Sequence, residues 1–153
     1  MRDQDHPLVG ILMGSESDME VMDQARAVLE ELGVPCEVSV MSAHRNPDMV
    51  ARYAGEAEGR GIKVLIAGAG LAAHLAGAVA SRTILPVVGV PLAGSTLGGL
   101  DALLSTVQMP KGVPVASVAI GSHGARNAGW LAAEILALSD SALAERLRAA
   151  RGL

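Results

Sequence analysis

Short apolar runs alternate with amphipathic segments along the whole chain. Apolar runs that stop at Gly, Pro or polar clusters are typical of buried strands. Such runs predict strands at residues 8–13, 36–41, 63–67, 86–91 and 113–120. Apolar residues that recur at spacings of three and four predict amphipathic helices. These helices cover residues 19–32, 49–58, 94–104, 125–138 and 141–151.

The regular alternation of strands and helices predicts an α/β fold. Because the strands are almost continuously apolar, the sheet should be parallel and covered by helices on both faces. Five strands favour a three-layer, doubly wound sheet with strand order 2-1-3-4-5 and a ligand crevice at the carboxyl ends of strands one and three. We expect one domain over residues 1–153, with a mobile start at 1–7 and a C-terminal helical segment at 141–153.

The composition favours a small-molecule partner. Half of the residues are hydrophobic, but the chain has one Trp, one Tyr and no Phe, so aliphatic side chains and Met must build the core. The formal net charge is -4. A nucleic-acid surface normally needs a basic patch and stacking aromatic rings, so nucleic acid is not an expected partner.

The single cysteine and the termini bear on the compartment. Cys36 alone excludes an internal disulfide and a cysteine metal cluster, and we expect it to be a small core residue. The start of the chain is polar, and no apolar run reaches the roughly 18 residues of a membrane span without interruption. A cytoplasmic protein without a membrane association is therefore expected.

The most reactive combination of side chains follows the second predicted strand. Ser42, His44 and Arg45 come directly after the apolar run, and Asn46 and Pro47 are a favourable cap and first residue for the next helix. Free N–H groups at a helix start favour anions. Histidine readily exchanges a proton near neutral pH, and the planar fork of arginine suits carboxylate or phosphate. The alternative is a capped turn with a solvated Arg.

Two further loops should meet this one at the same edge of the sheet. Ser15 and Ser17 can donate to phosphate oxygens, Asp18 can accept from sugar hydroxyls, and Arg45 can neutralise phosphate charge. The glycine- and alanine-rich segment 68–77 lets the backbone approach a ligand closely. Together the loops suit a phosphorylated ribose, although Ser and Asp at 15–18, taken alone, more often form a helix cap.

Several other chemistries are poorly supported. No His or carboxylate pair has the spacing of a known metal site. Residues 68–70 resemble part of a dinucleotide fingerprint, but the third glycine is misplaced, so a nicotinamide cofactor is not expected. A Walker lysine and a nucleophile elbow are both missing from the sequence. His74 follows the glycine-rich loop and could line the site, but it could also be a core histidine bonded to a backbone carbonyl. His123 is expected in a turn.

Four motifs together carry a family resemblance. They are Met13-Gly14-Ser15-Glu16-Ser17-Asp18, Ser42-Ala43-His44-Arg45, Ala67-Gly68-Ala69-Gly70 with Ala72-Ala73-His74-Leu75, and Val107-Gln108-Met109-Pro110. In order and spacing over residues 8–140, the chain closely resembles the class I N5-carboxyaminoimidazole ribonucleotide mutases of purine synthesis. This family is also described as the phosphoribosylaminoimidazole carboxylase catalytic subunit family.

The resemblance implies a flavodoxin-like homo-octamer with substrate sites at subunit junctions. It implies that His44 carries the proton, that Ser15, Asp18 and Arg45 hold the ribonucleotide, and that Ser42 assists at the phosphate. The full set of residues expected at the substrate is Ser15, Ser17, Asp18, Ser42, Ala43, Arg45, Gly68, Ala69, Gly70, Ala73, His74 and Leu75, with His44 as the catalytic residue. No cofactor, ATP or metal is implied.

The family reaction moves a carboxyl group from the exocyclic nitrogen of the imidazole to ring carbon four. Protonated His44 could donate to the departing nitrogen, which leaves carbon dioxide beside a nucleophilic carbon. Neutral His44 would then remove the carbon-four proton after recarboxylation. Small apolar side chains at Ala72 and Ala73 would suit a pocket that retains carbon dioxide and excludes water.

The chain also departs from the family pattern. Leu71 stands where relatives often have Gly, and Ala76 where they often have Pro. One alternative is the class II carboxylase, which uses free carbon dioxide, but its relatives carry Arg-Ser-Asn in place of residues 72–74. A second alternative is a noncatalytic nucleotide- or flavin-binding module. The scarcity of aromatic rings disfavours flavin, and the lack of an acidic pair after strand one disfavours a phosphoacceptor receiver.

Overall fold

A five-stranded parallel sheet forms the centre of the molecule in a computed structural model that describes residues 6–153. The strands are β1 (Val9–Met13), β2 (Cys36–Val40), β3 (Val64–Gly70), β4 (Val87–Leu92) and β5 (Ala116–Ser117). Their spatial order is 2-1-3-4-5, and every pairing is parallel. This confirms the predicted doubly wound α/β fold. The mobility expected for residues 1–7 concerns mainly residues 1–5, which lie outside the described part of the chain.

Six helices connect and cover the strands. They are α1 (Met19–Glu31), α2 (Pro47–Ala57), α3 (Leu75–Ala80), α4 (Leu100–Val107), α5 (Ser122–Ala137) and α6 (Ser141–Arg151). Within residues 6–153, none of them has the length and apolarity that crossing a bilayer requires.

The alternation of side chains along the strands divides the core into two layers. On β1, Ile11 and Met13 contribute to a layer covered by α1, α5 and α6, whereas Leu12 contributes to a layer covered by α2 and α3. All three side chains are completely buried. Because both faces are covered, the strands can be apolar throughout, as the sequence predicted.

The second strand is less buried than its apolar sequence suggested. Every residue of β2 is half-buried, because β2 is an edge strand that pairs only with β1. Cys36 is therefore a half-buried residue packed against the α1/α5 layer and not a fully buried one. Burial raises the pKa of its thiol.

The fifth strand is much shorter than predicted. Only Ala116 and Ser117 pair regularly with β4, whereas the sequence predicted a strand over 113–120. Pro114 cannot donate a ladder hydrogen bond, and no strand of the described chain pairs with the outer side of β5. Beyond it, the Val118 N–H still donates to the Gly89 carbonyl at 3.1 Å, so the chain follows β4 without a regular ladder.

Three other boundaries differ from the prediction. The third strand continues through Gly70, because residues up to 70 pair with β4 as far as Leu92. The fourth helix begins at Leu100, after the left-handed Gly99, and not at 94–96. The fifth helix begins at Ser122, so that His123 lies in its first turn instead of a preceding loop.

Helices α1 and α5 approach each other closely at a glycine. A Cβ atom placed on Gly129 would lie 2.9 Å from the Ala25 carbonyl oxygen and 3.0 Å from the Val28 Cβ. The Ala25 oxygen belongs to the backbone of α1 and cannot turn aside. The absence of a side chain at 129 therefore sets the spacing of the two helices.

We predict that Gly129→Ala lowers the free energy of unfolding by about 1–3 kcal/mol, because overpacking outweighs the better helix propensity of alanine. Gly55→Ala is the matched control, since Gly55 lies inside α2 with no atom within 4 Å of an added Cβ. This control should gain about 0.5–1 kcal/mol. Urea unfolding measures both changes, and an equally stable Gly129→Ala protein would contradict the close approach.

A cluster of three polar side chains ties the edge strand β2 to the end of α2. The Tyr53 hydroxyl donates to the Glu37 carboxylate, and an Arg60 amino group lies 2.8 Å from the same oxygen. The Arg60 guanidinium also lies 4.7 Å from the centre of the Tyr53 ring. Burial opposes the charge of Glu37, but the bonds from Arg60 and Tyr53 prevail and lower its pKa.

We predict that Glu37→Gln lowers the free energy of unfolding by up to about 1 kcal/mol at neutral pH, because the pair is partly exposed. A carboxylate whose pKa is lowered by folding makes its full contribution to stability at pH values above its ordinary pKa of 4.5. This contribution is lost as the pH falls through the lowered pKa. The difference between the two proteins should therefore shrink in acid. Glu56→Gln on the exposed face of α2 is the control, and a pH-independent difference would contradict the assignment.

Candidate active site

An open cleft of about 450 Å³ lies at the carboxyl edge of the sheet. Four successive strands of the sheet end there, and their following loops form its walls. The cleft is lined by Gly14, Ser15, Ser17, Asp18, Ser42, Ala43, His44, Arg45, Ala69, Gly70, Leu71, Ala72, His74, Leu75 and Gly94. It lies at the crevice that the strand order predicts for a doubly wound sheet.

The loop after β1 supplies hydroxyls and a carboxylate. Ser15 caps the short 3-10 turn at 16–18, where its hydroxyl oxygen accepts from the Ser17 N–H at 3.3 Å and lies 2.9 Å from the Ser17 hydroxyl. Asp18 closes the turn and precedes α1. Burial raises the pKa of the Asp18 carboxyl, and a backbone hydrogen bond from Ser15 partly opposes this rise. These groups suit a ligand with hydroxyls and phosphate oxygens.

The loop after β2 is a tight turn organised by Ser42. The Ser42 hydroxyl accepts from the Arg45 N–H at 3.2 Å, and the Ser42 carbonyl accepts from the Asn46 N–H at 2.8 Å. Helix α2 begins at Pro47, as predicted, but the Asn46 side chain makes no cap bond and instead lies 3.5 Å from the Ser42 N–H. The turn leaves the side chains of His44 and Arg45 exposed at the cleft.

The connection from β3 to α3 holds an unusual residue. Leu71 has φ +56°, which makes it the one residue other than glycine with a positive φ between residues 6 and 153. The conformation costs a branched residue about 1–2 kcal/mol. The Leu71 carbonyl accepts from the Ala73 N–H at 2.9 Å, and the chain then enters α3 with His74 at the cap position.

Two imidazole rings meet across the cleft. The centroids of His44 and His74 are 5.3 Å apart, and the ring planes are inclined by 57°. The rings come from the loops after β2 and β3, whose strands flank β1. A proton carrier thus lies beside a second polar ring that can orient a ligand.

The walls of the cleft differ in character. Hydroxyls, a carboxylate and a guanidinium come from the loops after β1 and β2. The loop after β3 contributes Leu71 and Ala72 beside His74, and Leu75 is the first residue of α3. A ligand with a polar, anionic end and a flat apolar end would match both walls. Between residues 6 and 153, no three His, Cys, Asp or Glu side chains are grouped to hold a metal ion.

Of the thirteen residues expected at the substrate, eleven line this cleft and two, Gly68 and Ala73, do not. Gly68 lies within β3, where an added Cβ would collide with the Met22 side chain. Ala73 is buried, with 2% exposure, and does not line the cleft. His123 lies on the exposed start of α5 and is not among the lining residues.

Sequence reasoning missed one contributor and undervalued another. Gly94 follows β4 and lines the cleft, whereas the predicted crevice contains loops after the first three strands alone. The signal was available, because the carboxyl ends of neighbouring parallel strands share one edge. Leu71 departs from the family pattern, yet the apolar pattern of the sequence gives no sign of its left-handed backbone.

Comparisons with known proteins give consistent family matches over most of the chain. The family model described as AIR carboxylase matches residues 8–152. The chain is 59% identical to the N5-carboxyaminoimidazole ribonucleotide mutase of Bacillus subtilis, covering 92% of this chain and 87% of the relative. It is 56% identical to the N5-carboxyaminoimidazole ribonucleotide mutase of Pyrococcus horikoshii, covering 93% of this chain and 79% of the relative.

A solved structure has the same fold. The crystal structure of Treponema denticola PurE superposes with a TM-score of 0.86 at 30% sequence identity. The alignment covers 95% of this chain and 90% of that protein. The similarity therefore extends over the whole sheet and its covering helices.

Proposed function

The chain belongs to the AIR carboxylase family, and we infer that it is an isomerase of purine biosynthesis that converts N5-carboxyaminoimidazole ribonucleotide to 4-carboxy-5-aminoimidazole ribonucleotide. The reaction proceeds by decarboxylation and recarboxylation without ATP. The observation that carries the inference is the meeting of His44 with the hydroxyls, carboxylate and guanidinium of two neighbouring loops in one cleft. The conversion of this substrate requires proton transfer and the binding of a phosphorylated ribose.

Each wall of the cleft has a part in substrate binding. The Ser15 and Ser17 hydroxyls, Ser42 and Arg45 hold the phosphate, and the N–H groups at the start of α1 favour its charge. Asp18 accepts from the ribose hydroxyls. This role is supported by its half-buried position at the wall of the cleft, where water competes less for its carboxylate.

The imidazole end of the substrate belongs on the opposite wall. Ala69, Gly70 and Leu75 contribute small or apolar groups there, and His74 supplies a polar edge for the migrating carboxylate. Ala43 adds a further small apolar group from the loop after β2. Gly68 and Ala73, also expected at the substrate, would act indirectly by supporting β3 and the start of α3, since neither lines the cleft.

His44 carries the proton in both directions. Protonated His44 donates to the exocyclic nitrogen as the bond from that nitrogen to the carboxyl carbon breaks, and the bonding electrons remain on nitrogen. Ring carbon four then attacks the released carbon dioxide, and the hydrogen of carbon four passes to neutral His44. The imidazolium is restored, so neither protons nor electrons are gained or lost overall.

We predict that carboxyl-labelled carbon-13 substrate, incubated with the protein in excess unlabelled bicarbonate, yields product labelled at the carboxyl on ring carbon four. Direct transfer keeps the label, because the released carbon dioxide bonds to ring carbon four before it exchanges with the unlabelled bicarbonate in solution. NMR of the product measures the retained fraction. Product that carries only unlabelled carboxyl would identify a carboxylase that uses free carbon dioxide.

His44→Asn is expected to lower the rate in this assay by a factor of about 100 or more, because it removes the proton carrier while keeping a similar shape. Ribonucleotide binding, measured by calorimetry, should remain. His123→Asn is the matched control, since that imidazole lies outside the cleft. A His44→Asn enzyme with full activity would contradict the catalytic role.

We further propose that eight copies assemble and that the site lies at their junctions. An exposed apolar stripe on and before α4 supports a self-interface, since Leu97, Leu100, Leu104 and Val107 are 63%, 52%, 51% and 45% exposed. Contiguous exposed apolar surface marks interaction sites. A cytoplasmic location belongs to the same proposal, because a purine intermediate is made and consumed there.

Leu104→Glu should shift the assembly toward smaller species, because it introduces a charge into an apolar contact. Light scattering coupled to size-exclusion chromatography gives the mass, and we expect most of the octamer to be lost at micromolar concentration. Arg52→Glu, an exposed charge change on α2, is the control. An unchanged octamer in the Leu104→Glu protein would exclude the α4 stripe as a subunit contact.

A further inference from the structure

Leu71 combines two features that the stability of the fold does not explain. Its backbone lies in the left-handed region at φ +56°, which a branched side chain rarely adopts. Its side chain is 60% exposed, so it gains little from core packing. A glycine would satisfy the same backbone without strain.

The position of Leu71 connects it with the chemistry of the cleft. It is the first residue after β3, three residues before His74, whose ring lies 5.3 Å from that of His44. Among the lining residues, the aliphatic side chains of Leu71 and Leu75 are the two larger than alanine. Leu75 is buried, with 1% exposure, so Leu71 is the large apolar side chain left free to contact a ligand.

The surroundings of Leu71 indicate what such a contact would do. The polar groups of Ser15, Asp18 and Arg45 lie on the walls after β1 and β2, whereas Ala72 and Leu71 form an apolar lip on the wall after β3. The imidazole ring gives the substrate a flat face with little polarity, and the migrating carboxylate lies at the edge of that ring. An aliphatic side chain packed on it would displace water from the place where carbon dioxide is released.

We propose that Leu71 covers the imidazole ring of the bound substrate and retains the released carbon dioxide until ring carbon four has captured it. This inference rests on the proposed mutase function and assigns a specificity role to a residue of this chain. With Leu71 in place, a smaller fraction of the carbon dioxide escapes before recarboxylation. The backbone strain is tolerated because the side chain acts at the cleft.

Three substitutions separate the side chain from the backbone. Leu71→Ala removes the covering side chain but keeps a Cβ atom, and so keeps the unfavourable backbone. Leu71→Gly removes both the covering side chain and the backbone strain, and Leu71→Met retains an apolar side chain of similar size. Ile84→Ala is the control, because Ile84 is an 88% exposed aliphatic residue that does not line the cleft.

The test measures the fraction of carbon-13 retained in product formed from carboxyl-labelled substrate in unlabelled bicarbonate, over times short against spontaneous decarboxylation. For Leu71→Ala and Leu71→Gly we expect loss of label per turnover to rise about tenfold, the order of one lost aliphatic contact. Leu71→Met and Ile84→Ala should retain label like the unmodified protein. Leu71→Gly should also unfold at a higher temperature than Leu71→Ala, since glycine accepts the positive φ.

The possible results distinguish the inference from the function on which it rests. Equal retention in all the proteins would overturn the role of Leu71 while leaving the mutase intact. Retention that falls only together with the mass of the assembly, measured by light scattering, would also overturn it, because Leu71 would then act as a subunit contact. If the unmodified protein forms no labelled product, the proposed function fails and this inference fails with it.

Discussion

The parallel pairing of β1 with both β2 and β3 is the interaction on which the rest of the structure depends. It gives these three strands the same direction, so their carboxyl ends lie side by side at one edge of the sheet. The Met41 N–H extends the β1–β2 ladder by donating to the Met13 carbonyl at 2.8 Å. Side chains separated by about 30 residues in sequence, such as Ser15 and His44, thereby reach one cleft.

Burial of both sheet faces makes this pairing stable. The side chains of Met22 and Leu29 fill one layer and those of Leu65 and Leu75 fill the other, and all four are almost completely buried. Because the core has so few aromatic rings, it is filled by helices and strands that lie close together and not by large side chains. The glycines at positions 68 and 129 have no room for a side chain, and they allow helices to lie directly on the sheet and on each other.

The cleft combines a rigid base with short loops. Its base is the end of the sheet, and its chemistry lies in the residues that follow each strand by one to five positions. The Ser42 turn is held by hydrogen bonds from the Arg45 and Asn46 N–H groups, and the chain passes from β3 into α3 through the left-handed backbone of Leu71. Short loops on a fixed sheet edge thus hold the polar groups of the cleft close together.

Local patterns in the sequence determined the order of strands and helices, the two-sided burial of the sheet and the position of Ser15, Asp18, His44 and Arg45 at strand ends. Periodicity and turn residues act over a few neighbours, so they can be read from the chain directly. The tertiary structure alone decided the half-burial of β2, the shortness of β5, and the inward packing of Gly68. It also brought the His44 and His74 rings to 5.3 Å and placed Leu71 at a positive φ. These features depend on which strand lies at an edge and on contacts between residues far apart in sequence.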